Sequence, residues 1–229
     1  LKLLRQGQLV IGMMDPLASP QAAQTVASTG ATAIALELVP RISRAQSMDV
    51  LSSMATLSGY KAVLMGASAS TRIFPMLMTA AGTLQPARVL IMGVGVAGLQ
   101  ACATAKRLGA VVEAYDVRPA AREQIISVGA KPIELDLDTG ESEGEGGYAK
   151  EQGDDFLRRQ REQMIAVVAE QDIIITTAAI PGAKSPILVT EEMVKAMKPG
   201  AVIVDLAAER GGNCDLTEQG KTITAHGVT

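Results

Sequence analysis

The sequence contains no tryptophan, one histidine and two cysteines, and aromatic residues make up 2% of its 229 positions. Each shortage removes a class of function. Single-stranded nucleic acid is held by stacking on aromatic faces and by basic grooves. With almost no aromatics, and with 21 Lys and Arg against 24 Asp and Glu, no nucleic-acid partner is expected. The lone histidine, His226, lies near the end of the chain, so histidine-based acid/base chemistry and a metal site are not expected. Cys102 and Cys214 offer neither a disulfide framework nor metal-ligand spacing, which fits a reducing compartment. No apolar run reaches the roughly 18 residues of a membrane span. The longest candidate, Tyr60 to Gly82, is broken by serines, threonines, Arg72 and Pro75. No signal peptide is expected from the residues given. Leu1 is not an initiator methionine and the closing "AHGVT" carries no stop signal, so both ends read as cuts in a longer protein.

What is abundant is aliphatic: 48% of the residues are apolar. That is enough for a sizeable core of Ala, Val, Ile, Leu and Met. "QLVIGMM" reads as a buried strand, and "SPQAAQTVASTG" as a helix with Ser19 as N-cap and Gly30 as its stop. "TAIALELV" reads as a second strand. Pro40 then keeps Val39 extended, and Ser43 is expected to cap a helix running to about Met65. The segment up to Pro86 reads as a connection, with a domain boundary near Leu84. From Arg88 onward strands and helices alternate: strands at Val89 to Met92, through "VVEAYD", at Lys131 to Leu135, in "DIIITTAA" and in "AVIVDLA", with helices at Leu99 to Leu108, Ala120 to Val128, Asp155 to Glu170 and after the Thr190 N-cap up to Gly200. Alternation of this kind indicates doubly wound parallel sheets. The expected architecture is α/β, with two Rossmann-like doubly wound domains: residues 1–84, the C-terminal part of a first domain, incomplete in this chain, plus a connecting helix, and residues 85–229, a dinucleotide-binding Rossmann domain. Residues 136 to 153 are rich in glycine and acids and read as a flexible surface loop.

The chemistry concentrates in three places. Gly93, Gly95 and Gly98 form G-x-G-x-x-G between a strand and a helix. Gly93 allows the tight turn, Gly95 lets backbone approach a pyrophosphate, and Gly98 packs helix on strand. The N–H groups around Val94, Val96 and Ala97 and the helix dipole face the phosphates. Asp116 ends the following strand, where a carboxylate accepts hydrogen bonds from adenosine ribose hydroxyls and repels a 2′-phosphate. NAD(H) is therefore favoured over NADP(H), with Val117 and the softening cation Arg118 beside it. "TTAAIPGAKSP" and "DLAAERGGNC" follow two other strand ends, with Ala179 expected to touch the cofactor and Gly211 and Gly212 to permit close approach. Finally, "RISRAQSMDVLSSMA" gathers Arg41, Gln46, Asp49 and Ser52. Residues three apart on a helix share a face, so Gln46, Asp49 and Ser52 form one polar edge there. An ordinary solvated helix face is the plain alternative.

The motifs "VPRISRAQSMDVLSSMA", "GVGVAGLQA", "GGYAKE", "TTAAIPG" and "VIVDLAAERGGNC" together resemble the NAD(H)-binding domain I, on the alpha subunit, of the proton-translocating NAD(P) transhydrogenases. Alanine dehydrogenases share the superfamily, and an alanine dehydrogenase-like amino-acid oxidoreductase is the competing reading; they lack the pair "RISRAQS" and "GGYAKE". The resemblance implies Si-specific hydride transfer between NADH and NADP+ held on a partner domain. It implies that Gln46 hydrogen-bonds near the nicotinamide, with Arg41, Asp49 and Ser52 around it. It implies that Gly147 and Tyr148 form the tip of a mobile loop over NAD(H), and that Gln160 contacts the nucleotide, although a solvated side chain on that charged helix is the plainer alternative. Ala179 stands where many members carry a larger aliphatic residue, which implies a looser adenine side. The implied partners are the NADP(H)-binding domain and the membrane proton-channel domain of one complex, and a second copy in a homodimer. The implied location is peripheral, on the cytoplasmic side of the bacterial inner membrane.

Overall fold

The structure is a computed structural model, and it describes residues 3–135, 154–180 and 183–229. By internal packing the chain divides into two compact units, Leu1–Met54 with Pro181–Ala183, and Ala55–Ile180 with Lys184–Thr229. Leu84, where the sequence texture changes, lies within the second of them.

The first unit holds a short βαβ turn of chain. β1 (Leu9–Gly12) pairs in parallel with β2 (Thr32–Ala35), and α1 (Pro20–Ser28) makes the crossover. Pro20 opens α1, where a missing N–H costs nothing. Ser19 sits at the N-cap position without a side-chain cap bond. Gly30 then takes φ 71°, the left-handed conformation that ends such helices. Glu37 follows β2 and accepts the backbone N–H groups of Met14 and Asp15, tying the end of one strand to the loop after the other.

The expected helix from Ser43 does not form as one piece. Ser43–Met48 is a 3-10 turn, and the α-helix α2 runs Val50–Ala69. The cap is Asp49: its Oδ1 accepts the Ser52 N–H at 2.9 Å. A carboxylate cap satisfies an end N–H and meets the positive end of the helix dipole, which Ser43 six positions upstream cannot do.

The second unit is a five-stranded, all-parallel sheet built from β5 (Arg88–Met92), β6 (Val111–Tyr115), β7 (Lys131–Pro132), β8 (Ile173–Thr176) and β9 (Val202–Asp205), in the order β7-β6-β5-β8-β9. Counting β5 as first, this is the 3-2-1-4-5 order of a doubly wound nucleotide-binding sheet. Alternate strand residues feed two cores. Val89, Ile91, Ile173 and Ile175 pack under α2, α3 (Val96–Arg107) and α4 (Ala121–Ser127). Leu90, Met92, Tyr115 and Ile174 pack under α5 (Asp154–Ala169) and α6 (Glu191–Ala196). Both cores are mainly aliphatic, with Phe74 in the first and Tyr115 in the second as their aromatic members. Thr190 caps α6 as expected, its Oγ1 accepting the Met193 N–H at 3.3 Å. One element was not expected: Leu77–Thr79 and Gly82–Leu84 pair as an antiparallel hairpin, β3 and β4, within the segment read as a connection. No helix among the described residues is long and apolar enough to cross a membrane.

Candidate functional site

At the carboxyl end of β5 the three glycines do distinct work. Gly93 has φ 92°, and a Cβ there would lie 2.8 Å from the Ala178 nitrogen. A Cβ on Gly98 would lie 2.0 Å from the Gly93 carbonyl oxygen, so the helix sits directly on the turn. Gly95, at the N-cap position of α3, has nothing within 4 Å of the place a Cβ would occupy. Bare backbone at a helix N-terminus, with open space before it, suits a pyrophosphate. The helix begins at Val96, earlier than the expected Leu99, so Gly98 lies in its first turn and not ahead of it. The exposed Val96 and half-buried Ala97 flank the opening, while Val94 is fully buried.

Asp116 follows β6 and is almost fully engaged. Its Oδ2 accepts the Val94 N–H at 2.7 Å and Arg118 Nη2 at 2.9 Å. Its Oδ1 accepts the Arg118 N–H and Nε, each at 2.9 Å. Arg118 Nη2 also donates to the Val94 carbonyl at 3.1 Å. Two carboxylate oxygens offer about four lone-pair sites, which the Val94 N–H and three Arg118 donors together match. Beside it lies a hollow of about 210 Å³ lined by Asp116, Val117, Arg118, Arg122, Ile133 and Leu135 among others.

The β8 side of the crevice is pinned from two directions. Thr177 Oγ1 donates to the Gly93 carbonyl at 2.8 Å. Ala178 and the exposed Ala179 come next along the chain. After β9, Asp205 collects four donors: the Ala207 N–H on Oδ1, and on Oδ2 the N–H groups of Asn213 and Cys214 and the Thr217 hydroxyl. Gly211 and Gly212, at φ 95° and 80°, let the loop fold back to make those bonds. The sequence drew attention to this loop for its glycines; Asp205, Asn213 and Thr177 were missed. The one available signal was that Asp205 ends its strand much as Asp116 follows its own.

Gln160 is buried, at 2% exposure, on the face of α5 that carries Met164 and Val168. The solvated alternative is thereby excluded. Its two amide atoms and the Tyr115 hydroxyl have no hydrogen-bond partner among the described residues. Burial pushes the Tyr115 phenol up to about 12, and the Gln160 side chain beside it acts in the opposite direction without the alignment of a full hydrogen bond.

In the first unit, Arg41, Asp49 and Ser52 are brought together. The Ser52 hydroxyl donates to Asp49 Oδ2 at 2.7 Å, Arg41 Nη2 donates to Ser52 Oγ at 3.1 Å, and Arg41 Nε lies 3.5 Å from Asp49 Oδ2. The Ser52 N–H and hydroxyl, with Arg41 behind them, hold the Asp49 carboxyl below its usual value. Gln46 joins this knot through its backbone, its carbonyl accepting the Asp49 N–H at 3.2 Å. It is exposed on the 3-10 turn, so it does not share a helix face with Asp49 and Ser52. Gly147 and Tyr148 lie outside the described residues.

Comparison with known proteins follows the same division. The family "Alanine dehydrogenase/PNT, C-terminal domain" matches residues 62–229, and "Alanine dehydrogenase/PNT, N-terminal domain" matches residues 1–58. The chain is 54% identical over 227 residues to an NAD(P) transhydrogenase subunit alpha chain of Rhodospirillum rubrum, covering 99% of this chain and 59% of that one. It is 32% identical over 232 residues to alanine dehydrogenase of Bacillus subtilis, covering 97% of this chain and 52% of that one. The crystal structure of transhydrogenase from Sinorhizobium meliloti superposes with a TM-score of 0.84 at 50% identity, over 98% of this chain and 60% of that one. The chain thus spans somewhat more than half the length of these relatives.

Proposed function

The chain belongs to the alanine dehydrogenase/PNT family, and on that footing we propose that it is the NAD(H)-binding component of a proton-translocating transhydrogenase, exchanging hydride directly with NADP(H) held on a partner domain. The observation that carries the reading is the pairing of an open, Cβ-free Gly95 at the start of α3 with a carboxylate, Asp116, after the neighbouring strand. The pyrophosphate lies on the turn from Gly93 to Gly98, including the backbone at Val94, Val96 and Ala97. The ribose diol engages Asp116, and the adenine enters the hollow beside Val117 and Arg118. Ala179, Gln160, Gly147 and Tyr148 are assigned to the remaining cofactor surface.

Bound NAD(H) supplies the hydride chemistry. The work of the chain is to bind, orient and exclude water, and it needs no general acid or base. Gln46 is assigned to the nicotinamide, and the knot of Arg41, Asp49 and Ser52 fixes the segment that carries it. In the same reading the partners are an NADP(H)-binding domain and a membrane proton-channel domain, the protein is a homodimer peripheral to the cytoplasmic face of a bacterial inner membrane, and transfer is Si-specific.

The test uses the full-length protein mixed with an isolated NADP(H)-binding domain. Stopped-flow absorbance is expected to show hydride passing from NADH to bound NADP+ in a single turnover, with no reaction when the partner is left out. Oxidation of alanine with NAD+ in the absence of any partner would overturn this reading in favour of an amino-acid dehydrogenase.

A further inference from the structure

We infer that Glu134 is a specificity-determining residue of the nucleotide site, its carboxylate accepting a hydrogen bond from the 6-amino group of adenine. The inference rests on the nucleotide site proposed above and names what reads the base there. The sheet order sets the direction in which the base lies. The glycine turn follows β5, Asp116 follows β6, and β7 is the edge strand beyond them. A nucleotide with its pyrophosphate on the turn and its ribose at Asp116 therefore continues toward the end of β7, one strand spacing of about 4.8 Å further on. The hollow joins these two strand ends. Tyr115 to Pro119 line it from the β6 end, and Pro132 to Leu135 line it from the β7 end.

Pairing with β6 continues past β7 itself. Glu113 and Ala114 pair with Lys131 and Pro132, and the Ile133 N–H donates to the Ala114 carbonyl at 2.8 Å. Continued by two residues, that register sets Glu134 beside Asp116. The half-buried Ile133 and Leu135 pack against the core that holds Tyr115 and Met164. The exposed Glu134 between them meets α4, where Arg122, in the first turn, brings its Nη2 to 2.5 Å from Glu134 Oε1. Asp116 and Glu134 are the two carboxylates that line the hollow, and they differ in what they have left to offer. The acceptor capacity of Asp116 is matched by Val94 and Arg118. Among the described residues Glu134 is engaged by Arg122 on one oxygen, so the second is open to a donor. The walls at Ile125, Pro132 and Ile133 are apolar and hold any purine alike. What distinguishes adenine is the donor at its 6 position, and the open Glu134 oxygen is the acceptor at the strand end the base approaches.

The experiment compares AMP with purine riboside 5′-monophosphate, which carries a hydrogen in place of the 6-amino group. Both are titrated calorimetrically against the full-length protein. The wild type is expected to bind AMP about tenfold more tightly, the scale of one hydrogen bond to a charged group. Glu134→Ala should reduce that preference to within about twofold. The ratio is the readout, because freeing Arg122 alters the charge of the site for both ligands equally. A preference that survives Glu134→Ala overturns the inference, as does a wild type that binds both ligands alike. Glu134→Gln keeps one carbonyl acceptor and should show an intermediate preference. If Glu134→Ala fails to fold by circular dichroism, Glu134→Gln decides: a reduced preference supports the inference, and an unchanged one overturns it. Asp116→Ala is run alongside. It must weaken both ligands; if it weakens neither, the nucleotide site itself is misplaced, a failure distinct from that of Glu134.

Discussion

At the scale of single residues, the most informative pair is Asp116 with Arg118. The sequence pointed to Asp116 as a selective carboxylate, and the position after β6 is the one such a residue needs. What a sequence does not convey is that the carboxylate already has partners. Arg118 supplies three of its four hydrogen bonds, and both side chains are largely shielded, at 6% exposure for Asp116 and 14% for Arg118. A ribose diol must therefore compete with the guanidinium for the same oxygens. The same guanidinium offsets the charge that would repel a 2′-phosphate. Arg118→Ala exposes that charge, so NADPH binding is expected to weaken more than NADH binding. The ratio of their dissociation constants should rise about tenfold, roughly 1.4 kcal/mol. Fluorescence titration with both nucleotides measures it, and an unchanged ratio would remove Arg118 from the ribose site.

At the scale of elements, α2 shows why close approach can matter more than amphipathicity. Its buried positions, Gly59, Ala62, Val63 and Gly66, form a stripe of small residues. A Cβ on Gly59 would lie 2.1 Å from the Ala97 carbonyl oxygen, whereas one on Gly66 would lie 3.1 Å from Ile173 Cγ2. The first contact is with backbone in the opening turn of α3; the second is with a side-chain methyl that can give. Alanine in a helix interior gains about 1 kcal/mol over glycine. Gly66→Ala should thus be near neutral, while Gly59→Ala should destabilise by about 1–3 kcal/mol through overpacking and loosen NADH as the turn shifts. Urea unfolding compares the two, and equal effects would refute the close packing of α2 on α3. The same scale explains what was legible. Strands and helices of the second unit were readable because Val, Ile and Leu recur with a clear period and glycines punctuate them. The hairpin β3–β4 was not, because strands of three exposed residues carry no alternation. The helix start at Asp49 was missed because Ser43 and Asp49 are both good caps and only the geometry of Ser52 chooses between them. Asp116 and the glycine turn follow a known spacing; Asn213 acts through hydrogen bonds between loops, which leave no periodic trace.

At the scale of the molecule, the second unit separates its tasks along the strands. The carboxyl ends carry the candidate site, and a charged knot lies toward the amino ends. There Arg88, Lys131 and Gln171 converge on Glu113, with the Arg88 and Lys131 contacts at 3.0 and 3.3 Å and Gln171 Nε2 at 3.1 Å. Arg88 also reaches Glu170 at 3.1 Å, and its N–H donates to Asp172. The knot thus links β5, β6 and β7 to the entry of β8. Burial alone would raise the Glu113 carboxyl, but Gln171, Lys131 and Arg88 outweigh it and hold the group below 4.5. The folded value lies below the unfolded one, so the stabilisation is fully present above pH 4.5 and is lost as pH falls through the folded value. Glu113→Gln removes the titration and leaves Arg88 with Glu170 and Lys131 largely in water. It should cost about 1–3 kcal/mol at pH 7, or some 2–4 °C in Tm per kcal/mol for a unit of this size. The gap between wild type and variant should narrow steadily as thermal melts are taken below pH 4.5. A gap of constant size down to the lowest pH at which the protein folds would mean that Glu113 contributes by shape alone, and that the charge knot has no part in holding the sheet together.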